Sequence, residues 1–129
     1  MTIPFWCIAI VWLMAYPPSW LAVVWMHRNG GYDNHLPRRQ AQTLQGFGLR
    51  AKSAHYNSLE ALPGFAAAVF VAHLGGGNPA LMTQLCIAFI VVRCVYVAMY
   101  LADLATLRSA VWTIGLALTG ALFLLPVLR

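Results

Sequence analysis

Four apolar runs, each long enough to cross a bilayer, make up most of this chain. They cover about 3–26, 52–74, 79–102 and 107–128. A hydrocarbon core of about 30 Å needs roughly 20 apolar residues of helix, so each run can span it with some tilt. The whole chain is 61% hydrophobic and only 9% charged, where soluble domains carry about 25% charged residues. A water-soluble fold of this length has no means of hiding so much apolar surface, so the solvent of this chain is lipid. The expected architecture is all-α: an integral membrane four-helix bundle, one four-span domain over residues 1–129.

The connections set the topology. Pro17 and Pro18 interrupt the first run; each lacks an N–H, so a kink is expected there, with two short re-entrant pieces as the alternative. The run GGGNP at 75–79 predicts a tight turn, with Pro79 suited to an early helix position. The third connection, around Asp103 to Leu107, is short. The first, from His27 to about Ala51, is long and carries Arg28, Arg38, Arg39 and Arg50, with Lys52 at its edge. Positive residues mark the cytoplasmic side, so the first and third connections are expected there and both termini outside, which is periplasmic for a bacterial inner-membrane protein. Trp6, Trp20, Trp25 and Trp112 fall near the expected interfaces. The net charge of +5 does not point to nucleic acid, because the cations gather in one loop beside a membrane segment. Cys7, Cys86 and Cys94 form neither a CxxC nor an even framework, so no disulfide scaffold and no zinc site is indicated. The first residues MTIPFW lack the Lys or Arg of a signal peptide.

Charge inside the apolar runs is the second constraint. Glu60 sits in the second run and Arg93 in the third. A charge at bilayer depth costs several kcal/mol and normally faces the bundle interior with a partner. Glu60 follows Arg50 by ten residues and Arg93 precedes Asp103 by ten. If those ends share a face, both charges lie about 15 Å deep and an ion pair between them is expected. Such a pair can be a structural clamp or part of a ligand site.

Arg50, Asn57 and Glu60 recur at helical spacing within an arc of about 80°. Arg93, Tyr96, Tyr100 and Asp103 form a similar stripe on the third helix, and the fourth opens with Arg108 and Ser109. Together they predict a cavity of guanidinium groups, phenols, an amide and a carboxylate at the basic end of the bundle. That set suits a small anionic ligand that also carries an amine, with arginines taking carboxylates and Glu60 an ammonium. His55 points about 140° away from Arg50, which suits a structural role. His27 and His35 are loop residues without metal-ligand spacing, His73 lies near the outer end, and the outer halves of the runs are too apolar for an ion pathway.

The pattern Arg50-Ala-x-x-Ala-His55-x-Asn57-x-x-Glu60-x-x-Pro63-x-Phe65 resembles the signature of the membrane-associated proteins in eicosanoid and glutathione metabolism, the MAPEG superfamily. Its members include microsomal glutathione transferases and the leukotriene and prostaglandin E synthases. The run Arg93-x-x-Tyr96-x-x-x-Tyr100-Leu101, followed by Arg108-Ser109, is similar to its second signature. The resemblance implies a homotrimer with glutathione as co-substrate, bound near the cytoplasmic side by Arg50, His55, Asn57, Glu60, Arg93, Tyr96 and Tyr100. It implies catalytic roles for Arg108, which would stabilise the thiolate, and for Ser109. Ser53 and Tyr56 stand where eicosanoid enzymes carry arginines. The function implied is a glutathione-dependent transferase or peroxidase acting on lipophilic electrophiles or hydroperoxides. Its partners would be further copies of itself, membrane lipid and a lipophilic small molecule, with no metal. The alternative is a non-catalytic member that keeps the fold as an accessory subunit or small-anion binder.

Overall fold

The computed structural model describes residues 1–128. Six helices follow one another: α1 Ile3–Met14, α2 Tyr16–Arg28, α3 Pro37–Gln42, α4 Gly46–Leu74, α5 Pro79–Leu101 and α6 Ala105–Leu124. No strand is present among the described residues. Three segments are long and apolar enough to cross a membrane: Ile3–Arg28, Pro79–Leu101 and Ala105–Leu124. The fourth expected span, α4, has 29 residues but falls outside that set. Arg50, Lys52, His55, Asn57 and Glu60 all lie in its first half and dilute its apolar character.

The expected kink in the first span is where α1 gives way to α2. Ala15 separates them in helical geometry (φ −69°, ψ −25°), so the chain bends and continues. Pro17 and Pro18 supply the cause, since neither can donate to the carbonyl one turn back. The glycine turn ends α4 and also forms a socket. Gly76 has φ +72°, a region that glycine enters without steric cost. A Cβ on Gly75 would come within 2.6 Å of the Pro126 ring, and one on Gly77 within 2.9 Å of Leu125, so the end of the last helix packs directly on this turn. Asn78 then caps α5, its Oδ1 accepting from the N–H groups of Ala80 (3.0 Å) and Leu81 (3.1 Å), with Pro79 at the first turn as expected.

At the opposite, basic end, Asp103 closes α5 at φ +60°. The Leu104 N–H reaches back to the Met99 carbonyl at 3.0 Å, the wrap-around bond of a Schellman turn. Asp is among the residues that tolerate this conformation. The same Asp103 carboxylate lies 4.0 Å from Arg50 Nη1, and Arg50 Nε donates to the Leu101 carbonyl at 3.4 Å. The start of α4 and the end of α5 therefore share one end of the molecule.

The apolar core joins α1, α4, α5 and α6 in the half nearer the glycine turn. Phe65 and Phe89 stack face to face with ring centroids 4.1 Å apart, surrounded by Cys7, Val69, Cys86 and Leu122. A smaller cluster of Ala22, Met26 and Ala51 holds α2 to α4 near the basic end. Gly48 is needed there because a Cβ would strike the Trp25 indole. The surface is apolar over most of its height: Trp12, Leu13, Val91, Ile114 and Leu116 are all exposed. That is the composition of a surface immersed in lipid, and the chain is an integral membrane protein.

Candidate functional site

The polar residues of the three helices α4, α5 and α6 come together in the half of the bundle nearer the basic end. Their most ordered part is a ladder of cations and rings. The Arg93 guanidinium lies over the Tyr96 ring, 4.2 Å from its centroid. Tyr96 meets Tyr100 edge to face at 5.7 Å, and the Arg108 guanidinium lies over Tyr100 at 4.4 Å. The i, i+4 spacing of the tyrosines on α5 and the position of Arg108 one turn into α6 produce this arrangement. Rings stacked on guanidinium groups hold them in place without neutralising them, so both cations keep their charge for an anion.

Two cavities open beside the ladder. The first, of ≈ 240 Å³, is lined by Asn57, Tyr96, Tyr100, Arg108, Ser109 and Trp112. The second, of ≈ 260 Å³, lies toward the apolar core, and its walls include Asn57, Glu60, Gly64, Phe89, Arg93 and Trp112. Asn57 and Trp112 belong to both. The Asn57 side-chain oxygen is buried and has no hydrogen-bond partner within the chain. A buried amide oxygen left without a donor costs on the order of 1–3 kcal/mol, so it is poised to accept from whatever occupies the cavity.

The expected ion pair between Glu60 and Arg93 is not formed. Depth was matched correctly, since both residues line the same cavity. Rotation was not. Arg93 is only 5% exposed, and its Nη2 donates to Ser58 Oγ at 3.1 Å, while Glu60 is exposed at the cavity's edge. Ser58 lies about 200° around α4 from Glu60. It faces α5 directly, and the arginine turns to it and to Tyr96. The one ion pair among the described residues is Arg50–Asp103.

Arg50 lines neither cavity; it fastens the end of α5 to the start of α4. His55 lies on the other side of α4, buried against the kink of the first span. Its Nδ1 is 2.6 Å from the Ala15 carbonyl, and its ring packs on Tyr16 at 5.9 Å. A carbonyl oxygen only accepts, so Nδ1 carries the proton. Replacing His55 with Leu is expected to lower unfolding free energy in detergent by about 1–2 kcal/mol through loss of this buried bond. His55→Asn, which keeps a donor, should recover part of the loss. Denaturant titration followed by tryptophan fluorescence measures both.

Ser58, the partner of Arg93, and Trp112, a wall of both cavities, escaped the sequence reading. Ser58 was hidden by its small size, although a hydroxyl next to Asn57 in an apolar run was a usable signal. Trp112 reads as an interfacial aromatic, yet it follows Arg108 by four residues and therefore shares its face of α6. No group of three or more His, Cys, Asp or Glu side chains is arranged to hold a metal among the described residues.

A helical membrane protein with a cation-lined polar cavity in the half of its bundle near the basic end is the class that this fold and site define. The model of the MAPEG family matches residues 3–128, nearly the whole chain, and the chain belongs to that family. No curated protein and no solved structure matches it.

Proposed function

We propose that the chain is a membrane-embedded, glutathione-dependent transferase or peroxidase acting on lipophilic electrophiles or hydroperoxides. The observation that carries this reading is the pair of cavities meeting at Asn57 and Trp112. One is lined by the Arg108 guanidinium, two phenols and a serine; the other runs into apolar wall. In this reading glutathione lies across the two cavities: Arg93 takes a carboxylate, Asn57 Oδ1 accepts from an amide or ammonium N–H, and Arg108 is left for the sulfur. Arg108 then favours the thiolate, as a nearby positive charge does. The thiol proton having left to water, the thiolate sulfur attacks the electrophilic centre of a substrate arriving from lipid. As the bond to sulfur forms, the bond to the leaving group breaks and its electron pair departs with that group. With a hydroperoxide the O–O bond breaks, the alcohol is released and a second glutathione reduces the resulting sulfenic acid to the disulfide and water. Ser109, beside Arg108 on the same cavity wall, is positioned to donate to the developing anion.

Assembly as a homotrimer belongs to the same reading. Glu60 lies about 21 Å along α4 from its basic end and is exposed in the single chain. A carboxylate facing lipid at that depth costs several kcal/mol. A neighbouring copy over the cavity mouth removes that cost and encloses the ligand. We also take α4 to cross the membrane as the fourth span, since its start is joined to the end of α5 by Arg50 and Asp103 and its own end leads through the glycine turn into α5. Both termini are then periplasmic in a bacterial inner membrane, and the 27–51 loop is cytoplasmic. A cysteine placed at position 38 should resist an impermeant thiol reagent in intact cells, in a background where Cys7, Cys86 and Cys94 are replaced by serine, and react once the membrane is opened.

Calorimetric titration of the detergent-solubilised protein with glutathione tests the central claim. Saturable binding at or below the millimolar range, with conjugation of a lipophilic electrophile, is the expected result. No saturable binding at that concentration would end the proposal.

A further inference from the structure

Gly64 in α4 and Gly115 in α6 stand inside long helices where neither backbone nor packing requires glycine. Glycine in a helix interior is less favourable than alanine, so its presence points to another use. Neither residue has a positive φ. A Cβ on Gly64 would meet nothing within 4 Å. One on Gly115 would make ordinary contacts, 3.6 Å to Val92 Cγ1 and 3.8 Å to Phe89 Cε2. Gly48, Gly75 and Gly77 differ, since a Cβ on each would strike a neighbouring residue. What Gly64 and Gly115 have in common is the deep cavity, which both line. Their joint effect is open space there.

That space lies at the apolar end. Gly64 follows Glu60 by four residues on α4, and Phe89 precedes Arg93 by four on the antiparallel α5. Both therefore sit one turn, about 5 Å, deeper than the charged pair. Leu116, one turn beyond Trp112 on α6, completes the wall. Trp112 is 44% exposed and Leu116 57% exposed, so the cavity opens sideways to lipid between them. The whole cavity measures ≈ 260 Å³. An apolar cavity of about 150 Å³ holds benzene. With the end beside Arg93 and Asn57 given to a carboxylate, the remainder is the size of one aromatic ring, and Phe89 and Trp112 offer it ring walls.

We propose that the apolar end of the deep cavity takes a single aromatic ring and that Gly64 and Gly115 set this limit. The inference rests on the enzymatic reading above, in which that ring is the lipophilic body of the electrophile. The substrate enters from lipid past Trp112 and Leu116 and lies along Trp112, the wall shared with the cavity of Arg108. Its electrophilic carbon then meets the sulfur beside Arg108. With a benzyl halide, the bond from sulfur to the benzylic carbon forms as the carbon–halogen bond breaks and the halide leaves with the electron pair. A fused polycyclic body exceeds the space.

Glutathione conjugation by the detergent-solubilised protein with allyl chloride, benzyl chloride and pyrenylmethyl chloride tests this, with uncatalysed rates subtracted. The highest kcat/KM is expected for benzyl chloride. Gly64→Leu and Gly115→Ala should each lower that value by about tenfold, the scale of a methylene misfit in an apolar pocket, and leave allyl chloride almost unchanged. Both replacements suit a helix better than glycine, and neither Cβ meets a clash, so folding is kept. Gly120→Leu is the control: a Cβ on Gly120 also meets nothing within 4 Å, but the residue lines neither cavity. An equal loss from Gly120→Leu, or a wild-type preference for the pyrenyl compound, would overturn the proposal. A second readout needs no glutathione. With Trp6, Trp12, Trp20 and Trp25 replaced by phenylalanine, Trp112 is the one remaining tryptophan. Its quenching by nitrobenzene should saturate, and Gly64→Leu should abolish the saturation. Quenching that rises linearly with and without Gly64→Leu would overturn the ring site. Saturable quenching in a protein that binds no glutathione would end the enzymatic reading and support the ring site on its own.

Discussion

Arg108→Leu is expected to remove the thiolate absorbance of bound glutathione near neutral pH and to cut turnover at pH 7 by up to about thirtyfold. The ceiling follows from the thiol itself. With a pKa near 8.5 it is only about 3% ionised at pH 7, so the most that a neighbouring cation can contribute there is the remainder. The sign of the pH dependence is set by the same argument. In the proposed reaction Arg108 lowers the pKa of the wild-type thiol, so the rate is expected to be level already around neutrality. In the variant the pKa returns upward and the rate climbs with pH until it passes about 8.5, where the defect disappears. A defect that persists at high pH would mean that Arg108 binds the ligand or shapes the cavity and leaves the thiol unchanged. Arg108→Lys should recover part of the rate, since the point charge matters more here than the planar fork. Stopped-flow absorbance and the pH profile of kcat read out both effects, and glutathione affinity should change less than kcat.

Ser58→Ala should destabilise the bundle by about 1.5–3 kcal/mol, the worth of a hydrogen bond to a charged group. Ser58 Oγ holds the one side-chain hydrogen bond of a guanidinium that is almost wholly buried. Removing the hydroxyl leaves that charge supported only by the face of Tyr96. Arg93→Met in the same background should relieve much of the loss, because an uncharged chain of similar length no longer needs the partner. The expected signature in a double-mutant cycle is thus a large coupling between positions 58 and 93 and a small one between 60 and 93. A coupling of Glu60 to Arg93 exceeding that of Ser58 would contradict the geometry described for the single chain.

These two residues also show where sequence stops. The depth of Arg93 and Glu60 was legible because helical rise is constant: ten residues from Asp103 and ten from Arg50 place both at one level, and both do line one cavity. The rotation of α4 about its axis was not legible to the same degree. A helix turns about 100° per residue, so misjudging the packed face by two residues exchanges Ser58 for Glu60. Packing of α4 against four neighbouring helices decides that face, and no local pattern reports it. His55 illustrates the same division. Its position away from Arg50 could be read from the spacing, but its partner, the Ala15 carbonyl 40 residues earlier, depends on where the kinked first span lies against α4.

By itself the sequence determined that the chain is helical and lives in lipid, because apolar runs of this length with so few charges have one physical solution. It also determined the kink and the tight glycine turn, because proline and glycine act on the backbone directly. The family's two signatures were likewise readable in the residues, from Arg50 to Phe65 and from Arg93 to Ser109. Only the tertiary structure decided which polar groups meet. It stacked Arg93 and Arg108 on a pair of tyrosines, left Asn57 Oδ1 without a partner between two cavities, turned Arg50 to Asp103 and brought Lys52 to Ser19. Each of those contacts requires helices far apart in sequence to settle at one rotation and one height, a condition that volume and packing impose on the bundle as a whole.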